Sequence, residues 1–517
     1  MRRPAALAPG LLDDLAARVV STGSGEVSVT EVFTGTELTR LPLSTPSNVA
    51  SAVERARDAQ ARWAATPVRA RARVFARFHR LLLDRREHIA DLIQAETGKA
   101  RAHAFAEASE PVLTTGHYLG AAPDLLRPRR RRGMVPLAVG VTERRLPKGV
   151  VAVISPWNYP FALSVSDAVP ALLAGNAVLV KPDLLTPLSP LYGARLLAEA
   201  GLPEGLMQVV LGDGPVLGAS LVETADYVAF TGSTGTGREI GRHTGDRLVG
   251  CSLELGGKNA MIVLDDARLG AAVAAAVESA FTNAGQLCMH IERLYVQDRV
   301  FEEFRDRFVA ATRALRLGAR YGWGYDVGSL ISPRRLAEVG AHVEDARAKG
   351  ARVLTGGRPR PDVSPSCYEP TVLAGVEPGM ECFDKETFGP VVALYRFGSD
   401  DEAVTAANAT AYGLNAAVFG ADRRRARRVA ARLRAGTVNV NDGHMAAYGS
   451  MDAPMGGLGL SGLGRRHGAE GLLKYTEAQS LAVQRVRVLQ PPSFLSPERH
   501  AEVVAASLRL LRALRVR

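Results

Sequence analysis

Residues 149–181 read GVVAVISPWNYPFALSVSDAVPALLAGNAVLVK, and this stretch decides the fold class. Two short apolar runs rich in valine, at residues 150–154 and 177–180, flank a segment with the composition of a buried helix. A strand, a helix and a second strand in this order form a right-handed crossover within a parallel sheet. The stretch therefore predicts an α/β fold of the nucleotide-binding type.

The same alternation extends in both directions from this stretch. Downstream, LMQVVLG, DYVAFTGS and CSLELGG continue the first unit, and upstream residues 48–100 have the apolar spacing of two or three amphipathic helices. A second alternation begins near Asn259 with AMIVL, RLYVQ, PTVLAGV, GPVVALYRF and AGTVNVN. We expect two α/β units that face each other across a cleft, with Cys288 in the cleft.

Composition excludes several classes of protein. The 517 residues, 47% of them hydrophobic, are enough for two or three packed domains. The four cysteines are scattered and form no CxxC pair, so we expect a reduced cytoplasmic protein without a disulfide framework or a metal site. The N-terminal segment MRRPAALAPGLLDD lacks a signal-peptide core, and the longest apolar runs are too short to cross a membrane. We expect no membrane partner.

A net charge of +11 raises the question of nucleic acid. Arginine is spread along the whole chain among acidic residues, which is typical of a generally basic surface. The one dense run, Arg127–Gly133, lacks neighbouring aromatic residues for base stacking. We expect a solvated loop or a subunit contact there and no nucleic-acid partner. A DNA-binding protein remains the alternative that this run leaves open.

The C-terminal tail has a different texture from the rest of the chain. Ser496 is a candidate N-cap and Pro497 a candidate first helical residue, and Val504, Leu508 and Leu511 fall on one stripe with arginines opposite. The pattern predicts a helix that packs on this chain or on a second copy. A helix on a membrane surface is the alternative.

Candidate chemistry lies in the loops that follow the predicted strands. Cys288, in FTNAGQLCMH (281–290), is a nucleophile only as a thiolate, which needs a lowered pKa and partial access. PWNYP (156–160), KPDLLTP (181–187) and FTGSTGTGREIG (230–241) each follow a strand, at the sheet edge where α/β proteins bind ligands. Gly232, Gly235 and Gly237 open a helix whose N-terminus attracts phosphate.

Each of these residues also has a plain structural interpretation. Cys288 could fill space, the glycines could form a tight turn, and Glu254 in LELGGK could be capped or ion-paired. In one site with a thiol, however, the Glu254 carboxylate has the task of deprotonating water or the thiol.

Seven motifs occur in an order that resembles the NAD(P)-dependent aldehyde dehydrogenases over residues 28 to about 480. They are PWNYP, KP (181–182), FTGSTGTG, LELGGK, NAGQLC (283–288), ETFGPVV (386–392) and PMGG…SGLGRRHG (454–468). Within the family, the chain looks most like the bacterial succinate-semialdehyde dehydrogenases. The resemblance implies an aldehyde-dehydrogenase-like α/β fold: a Rossmann-type cofactor domain, an α/β catalytic domain and a small β oligomerisation element.

The resemblance also implies boundaries and assembly. The cofactor domain would comprise residues 1–124 and 147–256, with 457–477, and the catalytic domain residues 257–456. The oligomerisation element and tail would comprise 125–146 and 478–517. In the family, this element pairs with the C-terminal strand across a subunit boundary, so the resemblance implies a homodimer or homotetramer.

By the same resemblance, Cys288 would attack the aldehyde carbonyl. The oxyanion of the thiohemiacetal would be held by the Asn158 side-chain amide and the Cys288 backbone N–H. After hydride transfer, Glu254 would act as general base for the water that hydrolyses the thioester. Family members that transfer the acyl group to coenzyme A generally lack this carboxylate, so a free acid is the expected product.

For the cofactor, the resemblance assigns Lys181 to the adenosine ribose, Gly232 and Ser233 to the pyrophosphate, and Glu386 to the nicotinamide ribose. Phe388 would pack beside the nicotinamide, with Trp157 lining the same loop. Many NAD-preferring members have a glutamate three positions after the lysine, where this chain has Leu184. We therefore expect NADP to be preferred, with NAD as the alternative, which Asp183 would favour if it turned inward.

Two further positions depart from the family pattern. Asp167 stands where many members have a lysine, and Arg466 where some have a glutamate proposed to relay protons, so Glu254 is left as the main candidate base. A semialdehyde with a distal carboxylate needs a cation, and the candidates Arg293, His290, Arg465 and Arg466 stay open. Other aldehydes, namely betaine, lactaldehyde or longer aliphatic ones, and a non-catalytic nucleotide-binding protein of the same fold are the alternatives.

Overall fold

The computed structural model describes residues 4–23, 25–134, 138–485, 490–513 and 515. The strands of this part of the chain are β1 (Glu26–Thr30), β2 (Glu37–Pro42), β3 (Arg129–Arg131), β4 (Val139–Pro147), β5 (Val150–Ile154), β6 (Ala177–Lys181), β7 (Met207–Val209), β8 (Tyr227–Thr231), β9 (Gly250–Glu254), β10 (Asn259–Val263), β11 (Ile291–Gln297), β12 (Arg352–Thr355), β13 (Thr371–Ala374), β14 (Val391–Phe397), β15 (Asn415–Phe419), β16 (Thr437–Val440), β17 (Gly462–Leu463) and β18 (Thr476–Gln484).

The α-helices are α1 (Pro9–Ala16), α2 (Pro46–Ala65), α3 (Val68–Asp84), α4 (Arg86–Thr97), α5 (Arg101–Leu125), α6 (Pro160–Leu173), α7 (Leu188–Glu199), α8 (Gly214–Thr224), α9 (Thr234–Asp246), α10 (Leu269–Phe281), α11 (Asp298–Arg313), α12 (Pro333–Ala348), α13 (Glu381–Asp384), α14 (Asp400–Asn408), α15 (Arg423–Ala430), α16 (Met445–Tyr448), α17 (Gly468–Leu473) and α18 (Pro497–Ala513). Short 3₁₀ turns lie at Ala5–Leu7, Thr282–Gly285 and Gly459–Ser461.

The first large sheet has six strands in the order β17-β9-β8-β5-β6-β7. The stretch 149–181 forms β5, α6 and β6, as predicted, and the two strands pair in parallel with Val150 opposite Ala177. Helices cover the sheet, so these strands are buried and can be apolar at successive positions. Strand order reverses at β5, between β6 and β8, and this is where open α/β sheets bind ligands.

The second large sheet has seven strands in the order β12-β13-β14-β11-β10-β15-β16. All neighbours are parallel except β12 and β13. Its first strand, β10, lies between β11 and β15, so this sheet also reverses its order internally. Strand β15 was not predicted, because NAAVF contains asparagine and alanine, which are poor strand formers.

The upstream helices belong to the first sheet. Three helices, α2 to α4, cover the region with amphipathic spacing, and α2 begins with a capping box between Thr45 and Asn48. One apolar core joins these helices to the six-stranded sheet, whereas the seven-stranded sheet has a core on each face. A small apolar cluster lies between the two sheets, and the side chain of Cys288 packs against it.

A small antiparallel sheet with the order β18-β4-β3 stands apart from the two large ones. Within the run at 127–133, Arg129–Arg131 form an edge strand whose backbone pairs with Val141–Glu143. The expectation of a solvated loop is therefore wrong for these three residues. Arg131 also forms an ion pair with Glu143. Parts of the expected oligomerisation element, residues 135–137, 486–489, 514 and 516–517, lie outside the described residues.

The predicted C-terminal helix forms as α18, and the Ser496 hydroxyl accepts a hydrogen bond from the Arg499 amide at 3.4 Å. None of its residues is buried, and Leu508 on the predicted stripe is 53% exposed. Over the ranges that the structure describes, every helix is too short or too polar to cross a membrane.

Candidate active site

A cavity of about 250 Å³ opens where the carboxyl end of the six-stranded sheet approaches the amino end of the seven-stranded sheet. All of the predicted site residues except Lys181 line it. The lining comprises Pro156, Trp157, Asn158, Thr231, Gly232, Ser233, Glu254, Leu255, Gly256, Cys288, Arg335, Glu386 and Phe388. Loops that are distant in sequence thus contribute to one site, as the motif positions predict.

Cys288 follows a strained left-handed turn. Asn283, Ala284 and Gly285 have φ values of 52°, 52° and 71°. Left-handed backbone is unfavourable for alanine and persists where the surroundings hold it. The Asn283 carbonyl accepts hydrogen bonds from the backbone and the side-chain nitrogen of Gln286, both at 3.0 Å, which closes the turn. The turn places the thiol on the cavity wall.

Asn158 is fixed by a buried ion pair. Its carbonyl accepts a hydrogen bond from Lys99 Nζ at 2.7 Å, and Lys99 is paired with Glu107. Glu107 in turn accepts from the Phe161 amide at 2.9 Å, at the start of α6. The Asn158 side-chain nitrogen donates to the Gln286 carbonyl at 3.0 Å, so the amide lies beside the turn that carries the thiol.

Glu254 is the last residue of β9 and is 7% exposed. Its Oε1 atom is buried and has no hydrogen-bond partner among the described residues. Burial raises the pKa of Glu254 to about 7, although the cations Arg466 and Lys474 act in the opposite direction. A carboxyl group with this pKa exchanges its proton near neutral pH, as a general base must.

The thiol differs from the sequence-based expectation of a lowered pKa. Burial, together with the nearby carboxylates Glu386 and Glu254, raises the pKa of Cys288 to about 12. The sulfur is therefore protonated in this arrangement and needs a base to activate it. The cavity offers the carboxylates Glu254 and Glu386. Glu386 accepts a hydrogen bond from Gly257, whereas Glu254 Oε1 has no partner among the described residues, so Glu254 is the candidate base.

Asp167 and Arg466, the two departures from the family pattern, are partners. Arg466 donates to the buried Asp167 carboxylate and, at 2.9 Å, to the hydroxyl of Thr231, the residue opposite Glu254 in the register of β8 and β9. Lys474 and Tyr475 also contact Asp167. The sequence suggested two separate losses, whereas the fold joins them into one charged network beside Glu254.

The cofactor-side residues form a narrow cradle. Gly257 N–H donates to Glu386 at 2.9 Å, and a Cβ atom on Gly256 would come within 2.4 Å of the Glu386 carboxylate. Phe388 packs edge-on against Trp157 with 5.5 Å between ring centroids. Ser233 caps α9 by accepting from the Thr236 amide at 3.3 Å, next to Gly232. A helix N-terminus, two aromatic rings and a carboxylate fit the phosphates, ring and ribose of a nicotinamide dinucleotide.

Lys181 lies at the same edge of the first sheet but outside the cavity lining. It ends β6, and its Nζ atom donates to the Pro182 carbonyl at 3.4 Å. Asp183, which would favour NAD if it turned inward, accepts instead from the Leu185 amide at 2.9 Å in a local turn. The side chain of Leu184 is partly buried nearby.

The four candidate cations for a distal carboxylate have other partners. Arg293 donates to the carbonyls of Lys258, Ala406 and Ala407, and His290 lies within 3.0 Å of Glu292. Arg465 donates to the Gly457 and Gly464 carbonyls, and Arg466 is paired as described. On the other side of Cys288 the surface is apolar, formed by Tyr159, Ala162, Leu163, Leu287, Met289, Leu414, Tyr448 and Met455.

Several functional neighbours were missed from the sequence. Arg335, near the start of α12, lines the cavity, and its guanidinium lies 5.9 Å from the centre of the Phe388 ring. Lys99, Glu107 and Glu292 support the site from behind. None belongs to a motif, and the local signal was the charge of Glu292, which lies next to Arg293 at the start of a buried strand.

Comparisons with known proteins agree with this geometry. The aldehyde dehydrogenase family model matches residues 19–481. A protein of Mycolicibacterium smegmatis named putative succinate-semialdehyde dehydrogenase [NADP(+)] is 52% identical over 90% of each chain. The crystal structure of succinate-semialdehyde dehydrogenase from Burkholderia pseudomallei superposes with a TM-score of 0.86 at 34% identity, over 90% of this chain and 96% of that one. Betaine aldehyde dehydrogenase from Staphylococcus aureus, solved with NAD+, gives 0.87 at 29% identity, over 92% and 95%. The chain belongs to the aldehyde dehydrogenase family.

Proposed function

We propose that this protein oxidises an aldehyde to the free carboxylic acid and passes the hydride to NADP. The observation that carries the proposal is that the Cys288 thiol, the Glu254 carboxylate and the dinucleotide cradle line one cavity, with Glu254 Oε1 lacking a hydrogen-bond partner among the described residues. The mixture of a nucleophile, a base and a redox cofactor site is what this reaction needs.

The steps follow from the positions of these groups. Glu254 accepts the thiol proton, and the Cys288 sulfur attacks the carbonyl carbon. The resulting oxyanion accepts hydrogen bonds from the Asn158 side chain and the Cys288 backbone N–H. A nicotinamide dinucleotide bound in the cradle would accept the hydride. Glu254 releases the thiol proton to solvent and then takes a proton from water, which attacks the Cys288 thioester. The acid is released, and the departing thiolate takes the proton from Glu254.

For the substrate we propose succinate semialdehyde, because relatives with about 50% sequence identity are named putative succinate-semialdehyde dehydrogenases. NADP is proposed as the preferred dinucleotide on the same grounds. Leu184 supports this choice, since it places no carboxylate that would repel a 2′-phosphate. A longer aliphatic aldehyde is the second candidate, favoured by the apolar surface beside Cys288 and by the partners that already engage the four candidate cations.

We also propose that the six-stranded and seven-stranded sheets mark the cofactor and catalytic domains within the boundaries given above. The β18-β4-β3 sheet would be the oligomerisation element of a homodimer or homotetramer, because β18 is exposed along nearly its whole length. The protein is proposed to be cytoplasmic, and the scarcity of cysteine supports this.

One experiment tests the function, substrate and cofactor together. A panel of succinate semialdehyde, betaine aldehyde, lactaldehyde and linear aliphatic aldehydes is offered with NAD or NADP, and reduced nicotinamide is followed by absorbance. We expect the highest kcat/KM with succinate semialdehyde and NADP, and release of the free acid. Reduction with none of these aldehydes would overturn the proposal, and a higher kcat/KM for an aliphatic aldehyde would select the second candidate.

A further inference from the structure

Behind the cofactor cradle lies a cluster of buried charge that the proposed mechanism does not use. Glu292 and Lys258 are ion-paired, and each side chain is 1% exposed. His290 Nε2 lies 3.0 Å from the same carboxylate. Lys258 ends the LELGGK motif, and Glu292 lies four residues after the thiol. The cluster therefore connects the segment that carries the base to the segment that carries the nucleophile.

The Glu292 carboxylate also holds the loop that completes the cradle. It accepts hydrogen bonds from the Thr387 amide at 2.8 Å and from the Phe388 amide at 3.1 Å. On the opposite side of this peptide, the Arg335 guanidinium donates to the Thr387 carbonyl. Thr387 is thus fixed at both of its backbone polar groups, between Glu386 and Phe388, which line the cavity.

The conformation of this loop needs such support. Phe388 has a φ of 49°, a left-handed backbone conformation that is costly for a bulky residue and persists only where the surroundings determine it. With the N–H groups of residues 387 and 388 bound to one anion, the turn is held in the shape that places the Phe388 ring against Trp157. Charge-assisted hydrogen bonds of this kind are stronger than neutral ones.

We propose that Glu292 is a positioning residue that keeps the 386–388 loop in its cofactor-binding shape and thereby sets the affinity for the dinucleotide. This role of Glu292 rests on the proposed function in one respect, namely that the cavity binds the dinucleotide. Glu292 acts through the backbone of Thr387 and Phe388 and touches no reacting atom. Its effect is on dinucleotide binding, and the chemical step stays with Cys288 and Glu254.

The test compares three variants of the full chain. Glu292→Gln removes the charge and presents an amide donor where the carboxylate accepted. Glu292→Asp keeps the charge and the pairing with Lys258 but withdraws the oxygens by one methylene from the loop. Asp226→Asn is the matched control, because Asp226 also accepts from a backbone amide, that of Val150 at 2.8 Å, and from Arg57, but at the opposite edge of the six-stranded sheet.

The readouts are the Kd for NADP by calorimetry, kcat at saturating NADP, and amide hydrogen exchange. Loss of one or two buried charge-assisted hydrogen bonds predicts a Kd about 10- to 100-fold higher for Glu292→Gln. A smaller rise is expected for Glu292→Asp and none for Asp226→Asn, with kcat nearly unchanged. Exchange should accelerate in peptides covering 386–392 and remain slow in those covering 259–263.

Wild-type NADP affinity in a folded Glu292→Gln variant overturns the inference. Exchange that accelerates equally in both peptide groups also overturns it, because it assigns Glu292 a general structural role. If Glu292→Gln fails to fold, the Asp variant decides: unchanged affinity rejects the inference and weakened affinity sustains it. Failure of the wild type to reduce NADP with any aldehyde would instead reject the proposed function, since Kd and exchange are measured without turnover.

Discussion

Glu254 and Glu292 are both buried carboxylates beside the same cavity, yet their surroundings are opposite. Glu254 has an oxygen with no hydrogen-bond partner in the part of the chain that the structure describes, and burial raises its pKa to about 7. Burial acts in the same direction on Glu292, but Lys258 and His290 outweigh it and hold the pKa of that carboxyl well below its usual range.

The difference lies in the number of partners, because both groups are removed from water. A carboxylate with every position filled stabilises a backbone shape and has no reason to exchange its proton. A carboxylate with an empty position gains by taking a proton, whether from the thiol or from water. The reactive region of the cavity is thus the one that folding leaves incompletely paired.

Removal of the nucleophile should have the largest effect on the reactive region. Cys288→Ala is expected to lower aldehyde-dependent NADP reduction by about 10⁴-fold or more, since covalent catalysis is lost with the sulfur. NADP binding should stay measurable, because the cradle residues are unchanged. Rates come from nicotinamide absorbance and binding from calorimetry, and substantial remaining turnover would show that the sulfur is not the reagent.

Glu254→Gln should separate catalysis from stability. Loss of a general base costs about 10²- to 10⁴-fold in rate. The melting temperature should hold or rise, because the substitution removes a buried charge whose Oε1 atom had no partner to lose. Because Glu254 serves both the thiol attack and the hydrolysis, NADP reduction should be slow already in the first turnover, which stopped-flow absorbance measures. A variant that melts well below the wild type would mean that Glu254 is structural.

Much of this site could be predicted because its main residues sit where local pattern is strongest. Asn158, Gly232 and Glu254 lie at or directly after predicted strands of the first sheet, so parallel topology alone brings them to one edge. The position of Cys288 also depends on the second sheet, whose alternation was predicted except at β12 and β15. The order of the elements predicted that these residues meet, whereas their individual roles were implied by the resemblance to the aldehyde dehydrogenases.

What stayed hidden depends on side chains that meet only after folding. Arg335 comes from α12 and Lys99 from the loop between α4 and α5, and neither segment carries a motif. Their contacts with Thr387 and Asn158 span long stretches of chain. The raised pKa of Cys288 depends on burial and on Glu386, which comes from a distant loop. Asp167 and Arg466 are 299 residues apart in sequence, so their pairing could not be predicted from either position alone.

On the fully paired side, removal of a partner should cost stability. Lys258→Met leaves the Glu292 charge buried without its main counterion and is expected to lower the free energy of unfolding by about 3–5 kcal/mol. The control is Lys349→Met, because the ion pair of Lys349 with Asp345 is 46% exposed at the lysine and should contribute about 0–1 kcal/mol. Urea denaturation measures both. Equal losses would remove the contrast between a buried and a surface pair.

The smallest effect is a pH dependence that we assign to Glu254, although burial raises the pKa of Glu386 in the same cavity to about 7 as well. Its pKa of about 7 means that the carboxyl group becomes protonated as the pH falls through neutrality, and a protonated carboxyl cannot accept a proton from water. We expect kcat to fall about tenfold per pH unit on the acid side of this value. The lowered pKa of Glu292 keeps that group ionised over the same pH range. Titration of Glu292 should therefore not make the Kd for NADP depend on pH. The pKa of Cys288, about 12, places the thiol of the free enzyme outside an ordinary pH profile. The acid limb should disappear in Glu254→Gln and remain in Glu386→Gln, because the proton transfer is assigned to Glu254 and Glu386 is assigned to the cofactor. An acid limb that persists in Glu254→Gln would show that another residue is the titrating base.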